Sequence, residues 1–238
     1  MVHLQGEEKR RYVGALFHRI APRYDLMNTL MTAGQHHRWR RRAAAVAAQG
    51  PAGPALDVAC GTGDLALALA RRPGLAPVVG VDLVPRMAAL AQEKVRRRGL
   101  AGRVALAVGD ALSLPFPSDT FACVASAFVL RNVPDLRRAL EEQVRVLRPG
   151  GRLVALEITP LDERPWRPLF RLYFHRLVPL LGRLVAGEQA AYAYLPRSVD
   201  LFPRAEALGR LLEGCGLVDV GWRLLGLGTV ALHWGTRA

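Results

Sequence analysis

Leu56-Asp57-Val58-Ala59-Cys60-Gly61-Thr62-Gly63-Asp64 decides how the rest of the chain is read. Its first half is a short apolar run carrying one carboxylate, the pattern of a strand buried in a parallel sheet. Its second half is a glycine turn, and Asp64-Leu65-Ala66-Leu67-Ala68-Leu69-Ala70 starts a helix. Gly61 and Gly63 suit a backbone that turns sharply and lets a ligand come close. Strand, glycine turn and helix form the nucleotide-binding crevice of a doubly wound sheet.

The charge around the turn selects the nucleotide. Gly61-Thr62-Gly63-Asp64-Leu65-Ala66 matches the G-x-G-x-x-[GA] dinucleotide fingerprint, which is weak by itself. A pyrophosphate at that helix N-terminus would meet Asp57 and Asp64, which repel it. S-adenosylmethionine has no phosphate and carries an ammonium and a sulfonium, so the same carboxylates favour it. Asp82, closing the next strand, suits ribose hydroxyls. Asp110, after the third strand, is placed to reach the adenine edge. The bland alternative makes Asp64 a helix cap and Asp57 a strand-end residue.

Outward from the turn, strands and helices alternate. Strands are expected at 55–58, 78–82, 104–108, 123–127 and 153–158, with helices near 64–72, 84–98 and 135–147. The fold class is therefore α/β, a doubly wound, mostly parallel sheet. Two further strands, 218–225 and 229–236, bring it to seven and add an antiparallel partner. Gly50-Pro51-Ala52-Gly53-Pro54 marks the entry to the sheet. Before it, residues 7–47 read as a helical cap broken at Pro22 and Gly34, with a loop over Ala21–Asn28 able to fold as a lid. His36 to Arg42 is a basic run read as a solvated helix face. The adjacent histidines lack the i, i+4 spacing of a metal pair, so no metal is expected. After Glu157, Phe170, Tyr173, Phe174, Leu177, Leu181 and Leu184 form the apolar stripe of a basic amphipathic helix within 164–186, kinked at Pro179. The stripe would line an apolar pocket, touch a membrane surface, cover the sheet edge or make a homodimer contact.

The chain of 238 residues is long enough for one decorated domain, divided as a lid (1–50), a core (51–158), a helical insertion (159–203) and a closing helix and hairpin (204–238). The formal charge is +13, nearly all from arginine, since Lys9 and Lys94 are the only lysines. Such a charge attracts anionic lipid or nucleic acid. The arginines lack interleaved aromatics on one face, which argues against specific nucleic-acid binding. Cys60, Cys123 and Cys215 are scattered, so neither zinc nor a disulfide framework is expected, and a reducing cytosol fits. The N-terminus has no apolar signal core and no stretch is long and apolar enough to span a bilayer; the expected location is cytoplasmic, peripheral at the membrane.

LDVACGTGD (56–64), GVDLVPRM (80–87), GDALSLPFPSDTF (109–121), LRNVPD (130–135) and VLRPGGRLVALE (146–157) together resemble the class I S-adenosylmethionine methyltransferases. FHRIAPRYDLMN (17–28), LRN (130–132), AYAYLPRSVDLFP (191–203) and VALHWGT (230–236) narrow the resemblance to the ubiquinone/menaquinone biosynthesis C-methyltransferases. The resemblance implies S-adenosyl-L-methionine as cofactor and Thr62, Asp82, Asp110 and Ala111 as contacts to it, beside Asp57, Gly61 and Gly63 of the turn. Ala127 stands where the family usually has a serine, and Val129 where it has a glycine. It also implies a lipophilic quinol acceptor, demethylmenaquinol ahead of a benzoquinol, met at an anionic membrane surface.

For such a reaction a ring carbon beside an ionised hydroxyl displaces the sulfonium's methyl, and catalysis rests on positioning and electrostatics. Arg131 is expected to stabilise the phenolate or hold a water; it stays protonated and is no base. Asn132 would orient the hydroxyl, and Tyr24 and Asp25 would close the site. The structural alternative pairs Arg131 with Asp135. Rival readings are another small-molecule methyltransferase and a pyridine-nucleotide oxidoreductase.

Overall fold

The computed structural model describes residues 4–161 and 165–238. Residues 1–3 of the N-terminal reading, and Arg164 at the start of the basic helix, lie outside them.

The N-terminal cap is α1 (Gly6–Ile20), a short 3-10 turn (Ala21–Arg23), α2 (Tyr24–Thr32) and α3 (Gln35–Ala47). Glu7 and Glu8 open α1 and His18 and Arg19 close it, each charge matching the helix dipole. The loop expected over 21–28 is therefore helical. Pro22 sits in the first turn of its helix, where no backbone N–H is needed, so it starts a helix instead of breaking one. The break at Gly34 is real: Ala33 and Gly34 both take left-handed φ, 47° and 74°. Helical periodicity also splits the basic run. His36, Trp39 and Arg40 are buried, while Arg38, Arg41 and Arg42 face out, so only half of it is a solvated face.

The sheet follows: β1 (Gly53–Val58), α4 (Asp64–Ala70), β2 (Leu75–Asp82), α5 (Pro85–Arg97), β3 (Val104–Val108), β4 (Phe121–Ala127), α6 (Leu136–Val146) and β5 (Leu147–Ile158). Asp135 caps α6 by accepting from the Arg138 N–H at 2.9 Å. Then come α7 (Arg167–Leu172), α8 (Val178–Leu181), α9 (Gln189–Asp200), α10 (Ala205–Gly214), β6 (Leu217–Leu225) and β7 (Val230–Arg237). The seven strands run in the order β3-β2-β1-β4-β5-β7-β6, with β7 antiparallel to both neighbours. One face packs on α3, α4 and α5 through Trp39, Leu65, Leu69 and Val95; the other packs on α6 and α10 through Leu140, Val144, Leu208 and Leu212. The order reverses between β1 and β4, so their carboxyl ends open a crevice.

The helical stretch after β5 passes Pro179 without leaving the helix. π-helical turns at Tyr173–Leu177 and Gly182–Ala186 flank Pro179, which lies in the first turn of α8, where a missing N–H is tolerated. Phe174, Val178, Ala191 and Tyr192 of this stretch and α9 pack with Leu16, Ile20 and Met27 of the cap, forming a third apolar cluster beyond the strand ends.

Candidate active site

β1 runs into the turn through Ala59, Gly61 and Gly63, all at positive φ (54°, 55° and 83°). The two glycines do different work. A Cβ on Gly61 would point at open space, its nearest neighbour a Tyr24 ring carbon at 3.8 Å, whereas one on Gly63 would press on the Ala91 methyl at 3.1 Å. Gly61 lets a ligand approach; Gly63 lets α4 sit close to α5, which is not the ligand role read for it. Asp82 holds the turn from β2: its Oδ2 accepts from the Gly61 N–H and its Oδ1 from the Val84 N–H, both at 2.8 Å. Burial raises the Asp82 pKa while those two N–H groups pull it down.

Against this turn lies a cleft of about 770 Å³. Asp82, Gly61 and Ala127 line its sheet side, and Arg10, Gly14 and Phe17 of α1 cover it. Asp110 and Ala111 line one end; Asp110 Oδ1 accepts from the Leu112 N–H at 2.9 Å and Oδ2 from Arg10 Nε at 2.6 Å. Val129 also lines the cleft. A smaller pocket of about 270 Å³ adjoins it, bounded by Asp57, Arg40, Ala59 and Tyr24 and sharing Gly61 and Ala127. Asp57 Oδ2 is buried there without a partner. Burial pushes the Asp57 carboxyl up to about 8, against the pull of the Ala66 N–H and Arg40.

These groups fit S-adenosylmethionine. The free oxygen of Asp57 suits the ammonium, the remaining lone pairs of Asp82 suit ribose hydroxyls, and Asp110 and Ala111 flank the space for the base. Thr62 lines the smaller pocket beside Asp57, and its hydroxyl also ties it to Asp25. Thr62 Oγ1 donates to Asp25 Oδ1 at 2.5 Å and accepts from Lys94 Nζ at 3.0 Å, and neither residue lines the larger cleft. Lys94 also reaches Asp25 Oδ2 at 2.6 Å and Asp64 at 2.8 Å. Asp25 is thus a latch that ties α2 to the glycine turn, and Thr62 is its keeper.

A second cavity, about 960 Å³, opens on the other side of a wall made by Phe17, Tyr24, Phe128 and Asn132, which line both spaces. Phe128 holds the wall with strained backbone, φ 64°, and its carbonyl accepts from Arg131 Nη1 at 2.8 Å and Asn132 Nδ2 at 3.2 Å. Its ring stands edge-on to Trp39 at 6.5 Å with the Arg40 guanidinium 5.0 Å from its centroid. Nothing in the sequence marked Phe128; only its place just past β4 gives it this role. Arg131 forms an ion pair with Glu157 of β5, their side chains 6% and 1% exposed. Burial raises the Glu157 pKa and Arg131 opposes it. The ionic partner is therefore not Asp135, which is occupied as the α6 cap. Arg131 Nε stays unpartnered at the cavity wall.

His36, His37 and Asp64 bring ligand atoms within 4.8 Å of one another, so the spacing argument against a metal does not hold. Two of the three are engaged elsewhere: Arg40 Nη1 donates to His36 Nδ1 at 2.6 Å and Lys94 holds Asp64 Oδ1 at 2.8 Å. Burial, then Arg40, pushes His36 down to about 4. Burial works against the Asp64 carboxylate, yet Arg40 and Lys94 hold its pKa below the ordinary value. This is a cation-rich cluster, poorly suited to a metal.

The sequence matches the profile of the ubiE/COQ5 methyltransferase family over residues 4–237. The chain belongs to that family. It is 47% identical to the demethylmenaquinone methyltransferase of Thermus thermophilus, over 93% of this chain and all of that protein. It is 43% identical to the ubiquinone/menaquinone biosynthesis C-methyltransferase UbiE of Desulfotalea psychrophila, over 94% of this chain and 90% of that one. Among solved structures, a possible histamine N-methyltransferase from Thermotoga maritima superposes with a TM-score of 0.63 at 20% identity, covering 94% of this chain and 99% of that one. A SAM-dependent methyltransferase from Aquifex aeolicus gives 0.61 at 18%, covering 90% and 98%. These two share the fold. The ubiE/COQ5 chain is accordingly an S-adenosylmethionine-dependent methyltransferase, and the cleft over Asp82 is the candidate site for its donor.

Proposed function

We propose that this methyltransferase converts demethylmenaquinol to menaquinol by methylating a ring carbon of the prenylated naphthoquinol. One observation carries the reading: an apolar cavity with the buried cation of Arg131 in its wall is divided from the donor site only by Phe17, Tyr24, Phe128 and Asn132. The names of the relatives above supply the acceptor class.

Bound donor supplies a methyl group on a positively charged sulfur. The residues supply the rest. The acceptor's hydroxyl proton leaves to water; Arg131 stabilises the oxygen's growing charge in a water-poor pocket, where a fixed charge counts for more. Asn132, in the shared wall, is placed to orient that oxygen. The ring carbon bonds to the methyl carbon as the carbon–sulfur bond breaks, and the ring proton at that carbon then leaves to restore aromaticity. The oxygen takes back a proton from water, so the net products are methylated quinol, the neutral thioether and one proton, the one lost from the ring carbon. The acceptor's tail is accommodated along Phe170, Phe174 and Val178, and the exposed leucines and arginines of the same stretch meet an anionic membrane surface.

An anaerobic assay with labelled donor and both demethylated quinols tests this. Label is expected in the naphthoquinol at least tenfold faster than in the benzoquinol. Preference for the benzoquinol would replace the acceptor, and no label in either would overturn the quinol reading.

A further inference from the structure

The second cavity is lined mostly by hydrocarbon, yet four of its lining residues each carry a buried polar side-chain atom with no protein partner: Asn28 Nδ2, Arg131 Nε, Tyr192 Oη and Tyr194 Oη. A buried polar atom without a partner is costly, and native proteins hold few of them. Asn28 Nδ2 and Arg131 Nε only donate, and a tyrosine hydroxyl can donate too. The set is complementary to an apolar ring carrying oxygen acceptors.

Both tyrosines come from α9. Two residues apart on a helix, they leave its axis about 200° apart, so they serve different regions of the cavity. Each ring is fixed. Tyr194 stands edge-on to Tyr12 at 5.8 Å. Tyr192 packs so tightly on Gly182 that a Cβ there would come within 2.3 Å of its ring. Burial raises the Tyr194 pKa, with the charge of nearby Arg131 opposing, so the phenol keeps its proton at neutral pH and remains a donor. Burial raises Tyr192 likewise.

We propose that Tyr192 and Tyr194 bind the two ring oxygens of the aromatic acceptor, Tyr194 sharing with Arg131 the oxygen that carries negative charge once its proton has left. This rests on the quinol reading above. Tyr194 is then a catalytic residue and Tyr192 a specificity residue. Neither was singled out in the sequence, where they lie in the segment AYAYLPRSVDLFP.

The test uses the full chain as wild type, Tyr192→Phe and Tyr194→Phe, with 1,4-naphthohydroquinone and 1-naphthol as probes under reducing, anaerobic conditions. Wild type should bind the diol more tightly than the mono-ol, and each substitution should erode that preference. Tyr194→Phe should also lower kcat/KM for the diol by about tenfold to a hundredfold, as for a hydrogen bond to a charged oxygen. Donor affinity should not change, and the Tm without acceptor should stay level or rise, because an unpartnered hydroxyl has gone. Wild-type preference and turnover in both variants would overturn this inference and leave the quinol reading standing. A lowered Tm with equal losses for both probes would make the hydroxyls structural and overturn it too. Wild type that binds neither probe would overturn both readings together.

Discussion

Asp57 shows what one buried carboxylate reports. Its unpartnered Oδ2 and a pKa of about 8 mean that the free enzyme holds it largely protonated at pH 7. The folded value lies above the ordinary 3.8, so the fold binds this proton more tightly than the unfolded chain does. Its contribution to stability is full below about pH 4 and is lost as pH rises toward 8. An ammonium against Asp57 favours the ionised form, so ligand affinity should run the other way. S-adenosylhomocysteine, which keeps the ammonium and lacks the sulfonium, should bind more tightly from pH 6 to 8, by up to about tenfold per unit. Asp57→Asn should abolish that slope and weaken binding at pH 8. Calorimetry across this range decides it, and a flat wild-type profile would remove Asp57 from the ammonium site. Asp57 and Asp82 were legible in the sequence because both sit at strand ends beside a glycine turn. The partner of Arg131 was not. Asp135 lies four residues away in the chain, but Glu157 lies on the neighbouring strand, and only the β4–β5 pairing brings it there.

At the scale of elements, the sheet was legible because alternating apolar strands and amphipathic helices leave few arrangements open. The cap and the insertion were less so. The helix over 24–32 was hidden by Pro22, which is compatible with a helix start, and α9 by Pro196 in its interior. What joins cap to core is a set of polar latches. Arg10 holds Asp110 across the larger cleft, and Lys94 and Thr62 hold Asp25 beside the glycine turn. α1 roofs that cleft, so exchange of the donor product requires the latches to open. Asp25→Ala should raise the dissociation rate of S-adenosylhomocysteine by about three- to tenfold, since a part-exposed ion pair and one hydrogen bond are worth roughly 0.5–2 kcal/mol. The Tm should fall by only a few degrees. Stopped-flow displacement measures the rate, and an unchanged value would show that α2 does not gate the donor site.

For the molecule as a whole, the helical stretch after β5 has two apolar sides. Phe170, Tyr173 and Phe174 of the stripe read from the sequence line the second cavity, and Leu181 packs in the adjoining cluster. Leu169, Leu172, Leu180 and Leu184 face solvent, with Arg171, Arg176 and Arg183 among them. The stripe read from the sequence mixes the two sides: Leu177 and Leu184 belong to it yet are exposed, and Leu169, Leu172 and Leu180 fall outside it because an i, i+3, i+4 pattern describes one face of a helix only. Among the described residues no helix is long and apolar enough to cross a membrane. An exposed leucine ridge set among arginines, on a chain of net charge +13, is suited to lying on an anionic bilayer. Leu169 and Leu184 are 70% and 68% exposed, so changing both to Ser should leave the Tm in place. The double variant should bind anionic vesicles at least about fivefold more weakly, each leucine taken out of the interface removing about 1 kcal/mol or more. Its apparent KM for a long-tailed quinol in vesicles should rise, while turnover of a tail-less quinol stays level. Phe170→Ser with Phe174→Ser should instead raise the KM for the long-tailed quinol more than for the tail-less one even without vesicles, because those rings line the path proposed for the tail. Sedimentation with vesicles at low and high salt separates the contributions: arginine-driven binding falls with salt, and the leucine contribution remains. Equal vesicle binding by wild type and the leucine variant would return the ridge to ordinary surface and leave the tail to be taken up from solution.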